Sequence, residues 1–297
     1  MASTLNHYRS LCRIRFFEET LLENFPKGVF SGTTHTYLGQ EANAVGILSN
    51  INDEDVVVSN HRCHGHFLAY GGDMRALYAE LMGKLTGVCG GRGGSQHIQW
   101  KNFYSNGVLG GTVPLATGMA LAEKYKKSGA VTICFLGDGT LGEGVFYESL
   151  NMASLWNIPV LYVVENNKIA QTTPIERSLA GGIALRFEAF DISTSQLDTS
   201  DVFEVLSTSR DLLTGIRTQG GPRALIIQTV RFGPHSKGDD TRDQQEISRL
   251  KESRDPLKIV RSRLDLDDAI RIQKEVEKEV HQAYQQALDD PLAERLE

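Results

Sequence analysis

The sequence predicts an α/β fold with a mostly parallel sheet and helices on both faces, and three observations carry that prediction. Residues 131–136 (VTICFL) and 160–164 (VLYVV) are short apolar runs of strand character. Residues 144–156, between them, read as a helix, which makes a strand–helix–parallel strand unit. A further β-rich run, 224–230 (ALIIQTV), supplies another central strand. At 297 residues with a 40% apolar fraction, the chain can bury a large core. One domain spanning 1–297 is expected, with a helix at its N-terminus and a helical tail at its C-terminus.

In a parallel unit the carboxyl ends of both strands share one edge of the sheet, where ligands bind. The first run ends in Gly137-Asp138-Gly139 and the second in Glu165-Asn166-Asn167, so Asp138 and Asn167 are expected to be neighbours. One anionic oxygen and one amide oxygen suit a hard cation such as Mg²⁺, which keeps positions for phosphate oxygens, water or a backbone carbonyl. The glycines around Asp138 allow close approach to a phosphate, with N–H donors near a helix start. Gly-Asp-Gly alone is equally an ordinary turn. The second strand ending in Asn-Asn favours a metal–diphosphate site.

In chain order, residues 5–25 read as a helix with Leu11, Ile14, Leu21, Leu22 and Phe25 on one period, ended by Pro26-Lys27-Gly28. A loop carrying His35 leads to a short apolar helix, 42–48. Residues 56–59 (VVVS) are a strand opening into Asn60-His61-Arg62-Cys63-His64-Gly65-His66. Three histidines here lack the spacing and sulfur or carboxylate partners of a zinc site. An anion suits the stretch better, because the arginine fork meets phosphate oxygens in pairs. His66 is expected to be structural.

Residues 74–85 read as an amphipathic helix, and 90–95 (GGRGGS) as a flexible loop bordering the site, with His97 unassigned. Asn106-Gly107-Val108-Leu109 precedes a mostly apolar helix, 114–125. A loop, 231–240, follows the 224–230 strand and carries His235 and Ser236. Val276, Val280, Tyr284 and Leu288 recur at four-residue spacing in 266–288, an amphipathic helix packing on its own domain or on a neighbouring subunit.

A net charge of −6 gives no global signal for nucleic acid or an anionic membrane, so any phosphate affinity must be local. Cys12, Cys63, Cys89 and Cys134 are scattered, which predicts reduced thiols and a cytoplasmic protein. No signal-peptide core or membrane-spanning run is present in the sequence.

Gly-Asp-Gly at 137–139 with Asn166-Asn167 resembles the signature of thiamine-diphosphate enzymes. The surrounding sequence from Tyr8 to Asp255 resembles the α subunit of the decarboxylating component of 2-oxo acid dehydrogenase complexes, the pyruvate and acetoin branch especially. The resemblance implies the diphosphate-binding half of a thiamine-diphosphate fold, with thiamine diphosphate and Mg as cofactors. It implies that Asp138, Asn167 and the Ile169 carbonyl bind the metal, and that Gly139 and Thr140 donate N–H groups to the phosphates. His61 and Arg62 would contact the diphosphate, and Gly107 and Leu109 the aminopyrimidine, with Leu109 forcing the cofactor to bend. His35, His64 and His235 become candidates for proton transfer, His235 also touching the diphosphate. Gly233-Pro234 departs from the family's His-Gly or Arg-Gly. Ser236 stands where some relatives are phosphorylated.

The implied reaction is decarboxylation or cleavage of a 2-oxo acid or acyloin, with acyl transfer to an acceptor. The family's pyrimidine-activating glutamate comes from a separate β chain, so an α₂β₂ heterotetramer is expected, with a lipoyl acyltransferase as a further partner. Two other readings keep the same residues. Gly142-Glu143-Gly144 also resembles transketolases, leaving open an acyloin-forming acyltransferase or ketol transferase, and a non-catalytic regulatory subunit is the third.

Overall fold

Both apolar runs around the Gly-Asp-Gly motif are strands in the computed structural model, which describes residues 2–294 apart from 237, 239 and 241. The strands are β1 (Val56–Ser59), β2 (Gln99–Trp100), β3 (Phe103–Ser105), β4 (Thr132–Gly137), β5 (Val160–Asn166), β6 (Ile169–Ala170), β7 (Thr173–Pro174), β8 (Ser193–Asp198) and β9 (Arg223–Gln228). Seven of them form one sheet in the order β2-β3-β1-β4-β5-β9-β8, and β6 and β7 make a separate two-stranded ribbon. Within the large sheet the neighbours run parallel except β2 against β3. The register sets Gly137 opposite Glu165, so Asp138 and Asn167 leave the same edge on adjacent strands.

The helices are α1 (Ala2–Asn24), α2 (Glu41–Leu48), α3 (Cys63–Ala69), α4 (Met74–Leu81), α5 (Leu109–Lys126), α6 (Gly144–Leu155), α7 (Ile183–Glu188), α8 (Val202–Gln219), α9 (Gln244–Ser253), α10 (Pro256–Arg261) and α11 (Leu266–Asp289). Alternate strand residues feed two cores. Val57, Ile133, Phe135, Leu161, Val163, Leu225 and Ile227 meet α1, α2, α4, α8 and α11 on one face. Val58, Cys134, Leu136, Tyr162, Val164 and Ile226 meet α5 and α6 on the other. Burial from both sides is why these strands are continuously apolar rather than alternating.

Two expected boundaries move, while the N-terminal helix ends at Pro26-Lys27-Gly28 as expected. The helix expected at 74–85 ends at Leu81, because Gly83 turns the chain at φ +68°. The helix expected at 114–125 begins at Leu109 and runs through Pro114. That puts Leu109 in its first turn, at the sheet edge. The N-terminal helix closes through a short turn whose cap, Gly28, has φ +72°.

Several elements have no counterpart among the expected ones, β8 and α8 among them. β8 (STSQLD) is an edge strand with much of its surface in water, so it carries no apolar run. α8 is capped by Asp201, which accepts from the Phe203 N–H, and buries Val205, Leu212, Leu213 and Ile216.

α11 packs on α1 and α4 of its own chain through Ala269, Ile272, Val276, Val280 and Tyr284. The Arg9–Glu275 and Arg13–Glu279 pairs that flank this seam are partly exposed and add little. All four cysteines are unpaired. Among the described residues no helix is long and apolar enough to cross a membrane.

Candidate active site

After β4 the chain makes a tight helical turn, Asp138–Gly142, and enters α6. Asp138 is only 3% exposed, and its Oδ2 is buried with no hydrogen-bond partner. Burial pushes its carboxyl up to about 6, against the pull of backbone N–H groups and of Arg231 and Arg62. A buried carboxylate oxygen left without a donor is costly, and a bound cation is the group that relieves it.

The partner strand ends correspondingly. Asn167 Oδ1 accepts from the Ile169 N–H at 3.3 Å, and its Nδ2 donates to Gln40 Oε1 at 3.4 Å. Lys168 (φ +64°) and Gln171 (φ +55°) bracket Ile169 and fold the chain back as β6 and β7. Ala170 thereby comes against Gly139, where an added Cβ would lie 3.0 Å from the Ala170 Cβ. Thr140 Oγ1 is a second buried oxygen with no hydrogen-bond partner. Asp138, Gly139, Thr140, Asn167 and Ile169 all line one cavity of about 300 Å³.

Across that cavity stand His61, Arg62, Leu109 and His235. Arg62 is buried; its Nη1 donates to the Thr36 carbonyl at 2.7 Å, and its Nη2 to the His235 carbonyl at 3.3 Å and the His235 ring at 3.2 Å. Burial, and then neighbouring Arg231, push the Arg62 guanidinium down to about 9. It is therefore still a cation at neutral pH, in surroundings that lack enough negative charge. An anion is what this wall wants. A guanidinium only donates, so the His235 Nδ1 it meets must be the acceptor, and the His235 proton is on Nε2. His61 is held neutral by burial first and then by Arg62, His35 and His235.

His35 does not line the cavity itself but stands just behind it. Its ring is 4.6 Å from those of His61 and His235, and the three offer ring nitrogens within 4.8 Å of one another. This trio comes from three separate loops and differs from the sequence-adjacent His61, His64 and His66.

Three expectations change here. His64, proposed for proton transfer, is fully buried away from the cavity: its Nδ1 lies 3.2 Å from the Glu18 carboxylate and its Nε2 2.9 Å from Ser95 Oγ. With both nitrogens engaged it braces the glycine loop, and we do not retain it as a catalytic candidate. Gly107 lies outside the cavity lining as well. A Cβ there would sit 2.1 Å from Gln96 Oε1, so its backbone gives room to Gln96.

The loop expected to be flexible is the third change. Fully buried Glu80 accepts from the N–H groups of Cys89 (2.6 Å), Gly91 (2.9 Å), Gly93 (2.7 Å) and Gly94 (3.0 Å). Loop N–H donors of the kind that cradle a phosphate are spent here on a carboxylate of the same chain. Glu80→Ala is expected to cost about 3 kcal/mol, as four charge-assisted bonds are lost, and to open residues 88–94 to protease. Urea unfolding and limited proteolysis check this; an unchanged midpoint would refute it. His66 is structural as expected, stacked 3.8 Å from Phe135 and bonded to Ser59 Oγ at 2.8 Å.

Glu143 and Gln171 also line the cavity, and fully buried Arg231 biases the charge of both Asp138 and Arg62. Glu143 was visible in Gly142-Glu143-Gly144 only as a likeness. Gln171 and Arg231 had no sequence signal.

The family model described as dehydrogenase E1 component matches residues 9–295. The α subunit of the acetoin:2,6-dichlorophenolindophenol oxidoreductase of Bacillus subtilis (strain 168) is 40% identical over 236 residues, 78% of this chain and 71% of that protein. The pyruvate dehydrogenase E1 component α subunit of Zymomonas mobilis is 38% identical over 260 residues, 85% of this chain and 73% of that protein. Its counterpart from Rhizobium meliloti (strain 1021) is 36% identical over 299 residues, covering 97% and 86%.

Proposed function

The chain belongs to the dehydrogenase E1 component family, and from that premise we propose that it is the α subunit of a thiamine-diphosphate- and Mg²⁺-dependent enzyme acting on pyruvate or acetoin. The observation that supports this most is Asp138 Oδ2, buried without a donor beside Asn167 and across a cavity from buried Arg62. A cation at one wall and a doubly anionic group between them would satisfy both.

In this reading Asp138, Asn167 and the Ile169 carbonyl hold Mg²⁺, while the N–H groups of Gly139 and Thr140 and the fork of Arg62 hold the diphosphate. Leu109, in the first turn of α5, presents an apolar side chain to the cavity and sets the conformation of what binds there. When bound, the cofactor supplies a nucleophilic carbon and an electron sink for cleavage beside a carbonyl. With its proton on Nε2, His235 would be the donor to a substrate oxygen, and His35 stands behind it. His61, kept neutral, adds no charge that would compete with Mg²⁺.

A β subunit completes the assembly as a heterotetramer and supplies the glutamate that activates the pyrimidine. A lipoyl group is the acceptor we favour. The reading is tested by co-purifying the chain with its β partner and offering pyruvate, acetoin and branched 2-oxo acids, with a redox dye or an aldehyde as acceptor. We expect dye reduction with pyruvate or acetoin that needs both cofactor and Mg²⁺. Consumption of none of these substrates by the loaded complex would overturn the proposal.

A further inference from the structure

We propose that Gln96 is a positioning residue for His35, its side-chain amide holding the imidazole as the neutral form protonated on Nε2. Gln96 Nε2 lies 3.4 Å from the Thr33 carbonyl and 3.3 Å from His35 Nδ1. A carbonyl only accepts, so the end of the amide facing Thr33 is the NH₂. That same NH₂ then meets His35 Nδ1, which must be an acceptor, and the single proton of the neutral ring falls on Nε2. Gly107 makes the arrangement possible, since a Cβ at that position would strike Gln96 Oε1.

The consequence reaches the whole trio. Three imidazoles within 4.8 Å invite a reading as a transition-metal site. A metal takes the lone pair of a neutral imidazole, and that of His35 is turned to Gln96 while that of His235 is turned to Arg62. His235, which lines the cavity, and His35 behind it therefore both carry N–H donors, and donors suit an oxygen of an anionic substrate. Gln96 thus fixes at His35 what Arg62 fixes at His235. Among the described residues, the rings of His61 and His235 and the amide of Gln96 face His35, and the cations Arg62 and Arg231 act on the neighbouring His61 ring.

Any effect on turnover rests on the proposed reaction, whereas the protonated nitrogen can be read without it. Nitrogen-15 NMR of histidine-labelled full chain should show His35 Nδ1 unprotonated in the parent. Gln96→Glu places a carboxylate at Nδ1, which should move the proton there and shift the acidic limb of kcat/KM of the complex with its β partner upward by about 1–2 pH units. Gln96→Leu removes the donor without adding charge and should leave that limb in place. A protonated Nδ1 in the parent overturns the proposal, as does a limb that shifts equally in both variants. A parent complex without activity would instead sink the proposed reaction and leave the NMR result to decide Gln96.

Discussion

Asp138→Asn is expected to lower cofactor-dependent turnover by at least about 10³-fold while making the cofactor-free chain more stable above neutral pH. The two effects have one cause. In the folded chain the carboxyl is held up to about 6, against an ordinary 3.8, chiefly by burial. Between those values the native state keeps a proton that the unfolded chain has released, so stability falls as pH rises through about 6. Above that pH the buried charge costs about 2–3 kcal/mol, and asparagine removes the charge at nearly constant shape. Urea unfolding should show the variant gaining that amount at pH 8, with the gain fading between pH 6 and 4. Equal stabilities at pH 8, or turnover within tenfold of the parent, would contradict this account of Asp138.

The second large effect is the dependence on a partner. The chain purified alone, saturated with thiamine diphosphate and Mg²⁺, is expected to turn over at least about 10³-fold slower than the same chain reconstituted with its β subunit. Among the described residues that line the cavity, only Asp138 and Glu143 carry carboxylates. In the proposed site Asp138 is taken up by the cation, and Glu143 sits at the entry to α6 beside Gly110. Steady-state decarboxylation with and without the β chain reads the difference directly. Substantial turnover by the chain alone would move the pyrimidine-activating role to Glu143, and Glu143→Gln would then abolish it.

Much of the framework was legible in the sequence because burial leaves a strong mark. VTICFL and VLYVV are apolar throughout since both faces of β4 and β5 are covered, and their shared register carries Asp138 and Asn167 to one edge. β8 was invisible for the converse reason: an edge strand in water needs no apolar pattern. Proximity in sequence also misled. His61 and His64 are three residues apart, yet the first lines the cavity and the second turns with α3 into the core against Glu18. Glu80 and Gln96 act through partners on other segments, and only the folded chain brings a carboxylate to four loop N–H groups or an amide to His35. Neither residue type announces such a role, since glutamate in a helix and glutamine in a loop are ordinary surface choices.

The central claim is that Asp138 and Asn167 grip a divalent cation which in turn clamps a diphosphate. Calorimetric titration of thiamine diphosphate into the reconstituted complex, with Mg²⁺ and then with a chelator, tests it most directly. Binding should be strong with the metal and at least about 10²-fold weaker without it, and Asp138→Asn should bind weakly under both conditions. Equal affinity in the chelator, or an Asp138→Asn variant that binds as the parent does, would contradict the claim.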